Sequence, residues 1–144
     1  MGLFGIGKKK HRNDFAIKTQ EIGEDIVRLY TEAVQIPFEK TSEMERQVLA
    51  LYLFGMANGM SEKSKESLED IEASVAAVLF MLFRYSIEDA GEFVKNMSSS
   101  MQSGDGDNKA RAIIQRARKA YFAYKDGAKG KVIDDICKVV ASMR

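Results

Sequence analysis

The sequence predicts an all-α protein, a single compact bundle of about six helices. Three observations predict it. Apolar residues recur at three- and four-residue spacing along most of the 144 residues. No window alternates apolar and polar residues with the period of two that marks a half-buried strand, and the connections between periodic stretches are short. With 45% hydrophobic and 30% charged residues, the chain has the balance of one globular domain, and no internal repeat or second domain is visible. Surface scaling for this length gives roughly 7,400 Å² folded against about 23,000 Å² unfolded, enough burial for a core without cross-links.

Residues 1–12 read as a flexible basic arm and 13–144 as the helical domain. The arm's other reading is an amphiphilic segment that touches anionic lipid or nucleic acid through Lys8, Lys9, Lys10, His11 and Arg12. Asn13 or Asp14 caps a first helix of about 14–36, carrying Ile22, Ile26, Leu29, Tyr30, Ala33 and Val34 until Pro37 forbids continuation. Ser42 and Glu45 form a capping box that starts a second helix near Glu43. It runs to about Met60, apolar almost all round from Val48 to Ala57, as a helix surrounded by others is.

Residues 61–67 are a polar link. Ser67 with Asp70 caps a third helix, buried on several sides and ending near Arg84. Ser86 with Glu88 and Asp89 starts a fourth, on which Ile87, Ala90, Phe93, Val94 and Met97 share a stripe. Residues 98–108, rich in Ser, Gly and Asp, read as a flexible loop. A fifth helix at about 109–125 puts Ala110, Ile113, Ile114, Ala117, Tyr121 and Tyr124 on one face, and Gly127 supplies its left-handed stop. A sixth, about 131–143, buries Val132, Ile133, Ile136, Val139 and Val140.

Several functions lack their parts. The order of apolar and basic residues at the start is wrong for a secretory signal, and Ile6 stands where a myristoylation motif needs Ser or Thr. The runs Val48 to Ala57 and Ala73 to Phe83 are about half the roughly 20 residues that span a bilayer. One cysteine, Cys137, fits a reducing compartment and inert packing. One histidine, His11, leaves no multi-histidine metal cage or histidine base. The carboxylate pairs Glu21 with Asp25, Glu66 with Asp70 and Glu88 with Glu92, each a turn apart, read as solvated faces. Asp105-Gly106-Asp107-Asn108 opens like a calcium loop, but Lys109 and Ala110 break the pattern, and Gly104 with Gly106 is only a weak echo of a phosphate loop.

Two surfaces invite a partner. Gly55 and Gly59 share a face that admits another backbone, either within the monomer or in a homodimer, with Met56 and Met60 beside them. On the fifth helix Arg111, Gln115, Arg118, Phe122 and Lys125 form a stripe with Lys119 alongside, which reads as a solvated face, a phosphate-binding face or a contact for an acidic protein. With 22 basic and 21 acidic residues, net charge +1, bulk charge names no partner.

Phe54-Gly55-Met56-Ala57-Asn58-Gly59-Met60, Phe83-Arg84-Tyr85-Ser86 and Ile113-Ile114-Gln115-Arg116, followed by Tyr121, Tyr124 and Gly127, stand at spacings that resemble a family of small all-helical bacterial immunity proteins of polymorphic toxin systems. The resemblance covers roughly residues 44–140. It implies a protein that neutralises a cognate toxin by stoichiometric occlusion, and with the cysteine and histidine counts above the expectation is a cytoplasmic, non-catalytic protein with no cofactor and no metal. Asn58, Arg116, Arg118, Tyr121, Phe122 and Tyr124 are the candidate partner-binding residues, and Tyr121 and Tyr124 read equally as buried rings with exposed hydroxyls. The alternative is a nucleic-acid or anionic-membrane accessory protein using the basic arm and the helix-five stripe. The acidic third and fourth helices weigh against nucleic acid. An enzyme would require a buried carboxylate that the sequence does not locate.

Overall fold

The computed structural model describes the backbone of residues 2–103 and 108–144, and the side chains of residues 14–102 and 108–144. Six helices follow one another: α1 (Gly2–Val34), α2 (Glu43–Ser64), α3 (Leu68–Met81), α4 (Ile87–Ser103), α5 (Asn108–Lys125) and α6 (Lys129–Met143), with a 3-10 turn (Phe38–Lys40) between α1 and α2. There is no strand among the described residues, and the predicted all-α bundle is the observed one.

The helix ends follow from side-chain chemistry. The Glu45 amide donates to Ser42 Oγ at 3.1 Å while the Ser42 amide donates to the Glu45 carboxylate at 3.0 Å, which completes the capping box. The amides of Asp70 and Asp89 donate to Ser67 Oγ and Ser86 Oγ at 3.1 and 3.0 Å, starting α3 and α4. At the end of α5, Gly127 adopts φ 93°, and the Ala128 amide reaches back to the Ala123 carbonyl at 2.9 Å.

Three boundaries and two buried faces differ from expectation. The α1 backbone runs from Gly2 through Asn13 and Asp14 rather than starting there, since their preference for a cap is worth only about 1 kcal/mol and no proline interrupts the segment. The side chains of the predicted basic arm lie outside the described residues. Helix α2 continues through the polar residues 61–64, which contain no breaker, and stops at Lys65 in the left-handed region (φ 54°). Residues 98–103 are the last turns of α4, not loop: Met101 extends the apolar stripe of Phe93 and Met97, and Ser98 is buried. Residues 104–107 lie outside the described residues, and Asn108, the last residue of the segment weighed as a calcium loop, opens α5. Finally, α3 is buried along one stripe, Ile71, Ser74, Val75, Val78 and Leu79, and leaves Phe80 and Met81 about half exposed; Ile87, expected in the α4 stripe, is 71% exposed.

Helix α2 is the centre of the bundle. Residues Val48 to Ala57 are all buried, and α1, α3, α5 and α6 pack around it. Its pairing with α5 is the most extensive in the molecule. Gly55 and Gly59 make that pairing possible: a Cβ on Gly55 would lie 2.4 Å from the Ile114 carbonyl oxygen and 2.6 Å from Ala117 Cβ, and one on Gly59 would lie 2.5 Å from the Arg118 carbonyl oxygen. This corrects the homodimer reading of the Gly55/Gly59 face, because α5 of the same chain already fills it.

Gly55→Ala should therefore force the two helices apart and lower stability by about 2–3 kcal/mol. Gly91 lies in α4 with nothing within 4 Å of the position of its added Cβ, so Gly91→Ala should raise stability by about 0.5–1 kcal/mol. Urea denaturation midpoints check both, and equal midpoints for the two variants would refute the close α2–α5 contact.

Candidate partner-binding surface

Most of the six sequence-derived candidates already have intramolecular partners. Arg116 on α5 is bound to Asp135 on α6, its Nε donating at 2.6 Å. Arg118 pairs with Glu62 across the α2–α5 seam. The Asn58 amide donates to the Phe54 carbonyl of its own helix at 2.7 Å. The Tyr124 hydroxyl donates to Asp25 on α1 at 2.6 Å. Phe122 stands edge-to-face on Tyr121, with centroids 5.6 Å apart, and Tyr121 lies 6.5 Å from Tyr124. The structure thus gathers Tyr121, Phe122 and Tyr124 at one end of α5. Both arginines, by contrast, lie in ion pairs between helices.

The arginine pairs are part of a wider pattern that the sequence did not disclose. Three tyrosine hydroxyls donate to carboxylates on other helices: Tyr30 to Glu45, Tyr52 to Asp135 at 2.8 Å, and Tyr124 to Asp25. Asp25 also accepts from Lys129 at 3.0 Å and Arg28 at 2.9 Å, so it is not the solvated carboxylate its spacing from Glu21 predicts. Burial acts to raise the pKa of Asp25, but these donors outweigh it and hold the carboxyl below its ordinary value. Burial likewise opposes the donors at Glu45, and the Ser42 amide and the Tyr30 hydroxyl prevail there too. The Cys137 thiol, half-buried, is raised by desolvation and remains protonated, as inert packing requires.

A different site remains open. Between the 3-10 turn, α2, the α3–α4 turn and α4 lies a groove of about 660 Å³ floored by aromatic rings. Phe38, Phe83, Tyr85 and Phe93 meet edge-to-face in succession, at centroid distances of 5.4, 6.4 and 6.0 Å. Phe83 is buried, and Phe38, Tyr85 and Phe93 are partly buried against the core. Arg84, in the left-handed region (φ 61°), turns the chain so that Phe83 and Tyr85 both belong to this series, and the Tyr85 amide donates to the Leu79 carbonyl at 3.1 Å. Glu39, Glu43, Asp89 and Glu92 line the groove, against Arg46 and Arg84. Burial raises the Tyr85 hydroxyl above its ordinary value; Arg46 lowers it, and Glu43 and Asp89 raise it further. Sequence reasoning reached this place only through the Phe83-Arg84-Tyr85-Ser86 segment of the family resemblance.

Two further clefts are lined by charged side chains among apolar surface. One of about 650 Å³ between α5 and α6 is lined by Arg116, Lys119, Lys131 and Asp135. A smaller one brings Lys18, Lys63 and Lys125 together with Asp14, Glu66 and Tyr121, and the neighbouring Lys63 pulls Lys125 below the ordinary lysine value. Among the described residues, no three His, Cys, Asp or Glu side chains gather closely enough to hold a metal ion.

In class, the fold is an all-helical bundle packed around one central helix. Residues 18–144 match immunity protein 48, and the chain belongs to that family. The match bears out the resemblance and extends it toward the N-terminus, into α1. No curated protein and no solved structure matches the chain.

Tyr52 is fully buried, so Tyr52→Phe should remove one tie to Asp135 and lower stability by about 1–2 kcal/mol in urea denaturation, with no change in fold. Because Asp25 and Glu45 titrate lower in the folded chain than in the unfolded one, the unfolded chain takes up protons first as pH falls. Their stabilisation is complete above about pH 5 and should fade as pH drops below about 4, through the depressed folded values. Glu45→Gln keeps a side chain able to complete the capping box and should flatten this acid-side decline; an unchanged slope of midpoint against pH would refute the assignment.

Proposed function

We propose that this protein neutralises a toxin by binding it stoichiometrically and covering its working surface. The observation that carries this reading is the family match over residues 18–144. The physical character of the bundle supports it. Helices tied by tyrosine–carboxylate bonds and a glycine-lined seam present a preorganised surface, and a preorganised surface loses less conformational entropy on association. In this reading the protein works in the bacterial cytoplasm by contact alone and catalyses nothing; among the described residues no helix is long and apolar enough to cross a membrane. Of the sequence-derived candidates, Tyr121 and Phe122 are the two whose side chains form no hydrogen bond or ion pair, and they are the ones proposed to touch the partner directly. Asn58, Arg116, Arg118 and Tyr124 are proposed to act by holding that surface in shape.

A second reading, binding of nucleic acid or an anionic membrane, is favoured by the meeting of Lys18, Lys63 and Lys125 in one cleft. It is weakened by the pairing of Arg118 with Glu62, which removes a cation from the middle of the predicted stripe.

The protein expressed with the product of a toxin gene beside its own should restore growth and co-elute with that product at one to one. Growth arrest despite an excess of folded protein would refute the proposal. Retention on DNA or anionic vesicles that falls steeply between low and physiological salt, without toxin binding, would establish the second reading in its place.

A further inference from the structure

Several polar groups of the aromatic groove have no partner within the described molecule. Tyr30, Tyr52 and Tyr124 each donate to a carboxylate, whereas the hydroxyls of Tyr85 in the groove and of Tyr121 on α5 have no hydrogen-bond partner among the described residues. Of the two groove cations, Arg46 donates to the Thr41 carbonyl and keeps its charge, and Arg84 stands 3.9 Å from Glu39 in an exposed pair, so four carboxylates face two cations. Glu43, Asp89 and Glu92 have no ion pair or hydrogen bond to their side chains among the described residues. Helix dipoles explain part of this charge, because Glu43 and Asp89 lie in the first turns of α2 and α4. They do not explain Glu92, a turn further on. Nor do they explain why partly buried rings form the floor beneath the carboxylates.

We propose that this groove is the recognition site for an arginine-bearing segment of the toxin, an inference that rests on the toxin-neutralising reading above. Guanidinium fits both halves of the site. Its flat face lies on an aromatic ring, and its edge forks onto carboxylates, which a compact ammonium does less well. Glu43 and Glu92 hold the guanidinium from the α2 and α4 sides, and Tyr85 supplies the ring and a free hydroxyl. An uncharged or acidic segment leaves these carboxylates desolvated without a partner, so the site rejects it. The exposed side chains of Met81 and Ile87 flank the turn that carries Tyr85, and apolar neighbours of the arginine lie against them.

The test uses the full chain and two probes, a hexapeptide of alternating leucine and arginine and its leucine–glutamate counterpart. In NMR titration the arginine peptide should shift the Tyr85 and Phe93 ring resonances and the glutamate peptide should not. Glu43→Lys/Glu92→Lys should weaken that binding at least tenfold, while Glu24→Lys/Glu69→Lys, with the same change in net charge elsewhere on the surface, should leave it within twofold. Four results would overturn the proposal: no shift in the groove, shifts centred on the α5–α6 cleft, equal loss in both double variants, or groove shifts that grow with protein concentration alone and so assign the site to a second copy of this chain. The growth assay then separates the two readings. If the wild type protects and a folded Glu43→Lys/Glu92→Lys protects equally, the groove is not the toxin site although neutralisation stands. If the wild type does not protect, neutralisation falls, and the peptide titration alone decides whether the groove binds arginine.

Discussion

The close approach of α2 and α5 is the constraint on which the rest of the structure depends. Two helix backbones meet where Gly55 and Gly59 present no side chain, and the Ile114 and Arg118 carbonyls occupy the space a Cβ would need. That contact fixes α5 in rotation as well as in distance. With Ile114 and Ala117 turned onto α2, Arg116 must point toward α6 and Tyr124 toward α1, which is where their carboxylate partners stand. The pairs Arg116 with Asp135 and Tyr124 with Asp25 are thus consequences of the glycine seam.

The tyrosine–carboxylate bonds add direction to a core that hydrophobic burial alone would leave less specified. Each is worth about 1 kcal/mol net, yet a mispacked helix would strand a carboxylate or a phenol away from water, at a cost of about 1–3 kcal/mol. Alternative packings are penalised more than the native one is rewarded. Glu45 shows the economy of the arrangement: one carboxylate completes the α2 capping box, accepts from Tyr30 on α1 and lies 4.0 Å from Arg144 beyond α6. Three parts of the chain converge on one side chain, and two of them are distant from it in sequence.

What the sequence made legible is what local chemistry decides. Ser42 with Glu45, Ser67 with Asp70, Ser86 with Asp89 and the stop at Gly127 are interactions within a few residues, and all are observed. The serine run at 98–100 misled because composition argued for loop while Met101 continued the helical stripe; the burial of Ser98 on that stripe shows that spacing outweighed composition. Asp25 was legible only as one of a helical pair, since its partners Tyr124 and Lys129 lie about a hundred residues away. The groove was illegible for the same reason. Phe38, Phe83 and Phe93 come from three segments, and nothing local to any of them announces that the rings will meet.

A net charge of +1 conceals a separation of signs. Carboxylates outnumber cations in the aromatic groove, cations outnumber carboxylates in the α5–α6 cleft, and the two share no residue. At physiological salt, fields from exposed charges fade over about 8 Å, so each cleft acts on whatever approaches it and does not cancel the other. A molecule close to neutral overall can therefore orient an incoming partner without attracting every charged surface around it. The cations beside Asp135 and Glu62 are held in interhelical pairs and help fix the bundle's shape, whereas three carboxylates in the groove are held by nothing within the described molecule. Unpaired charge over partly buried rings adds little to folding stability, so the proposed groove site would draw its binding energy from a partner, beside the contacts proposed for Tyr121 and Phe122 on α5.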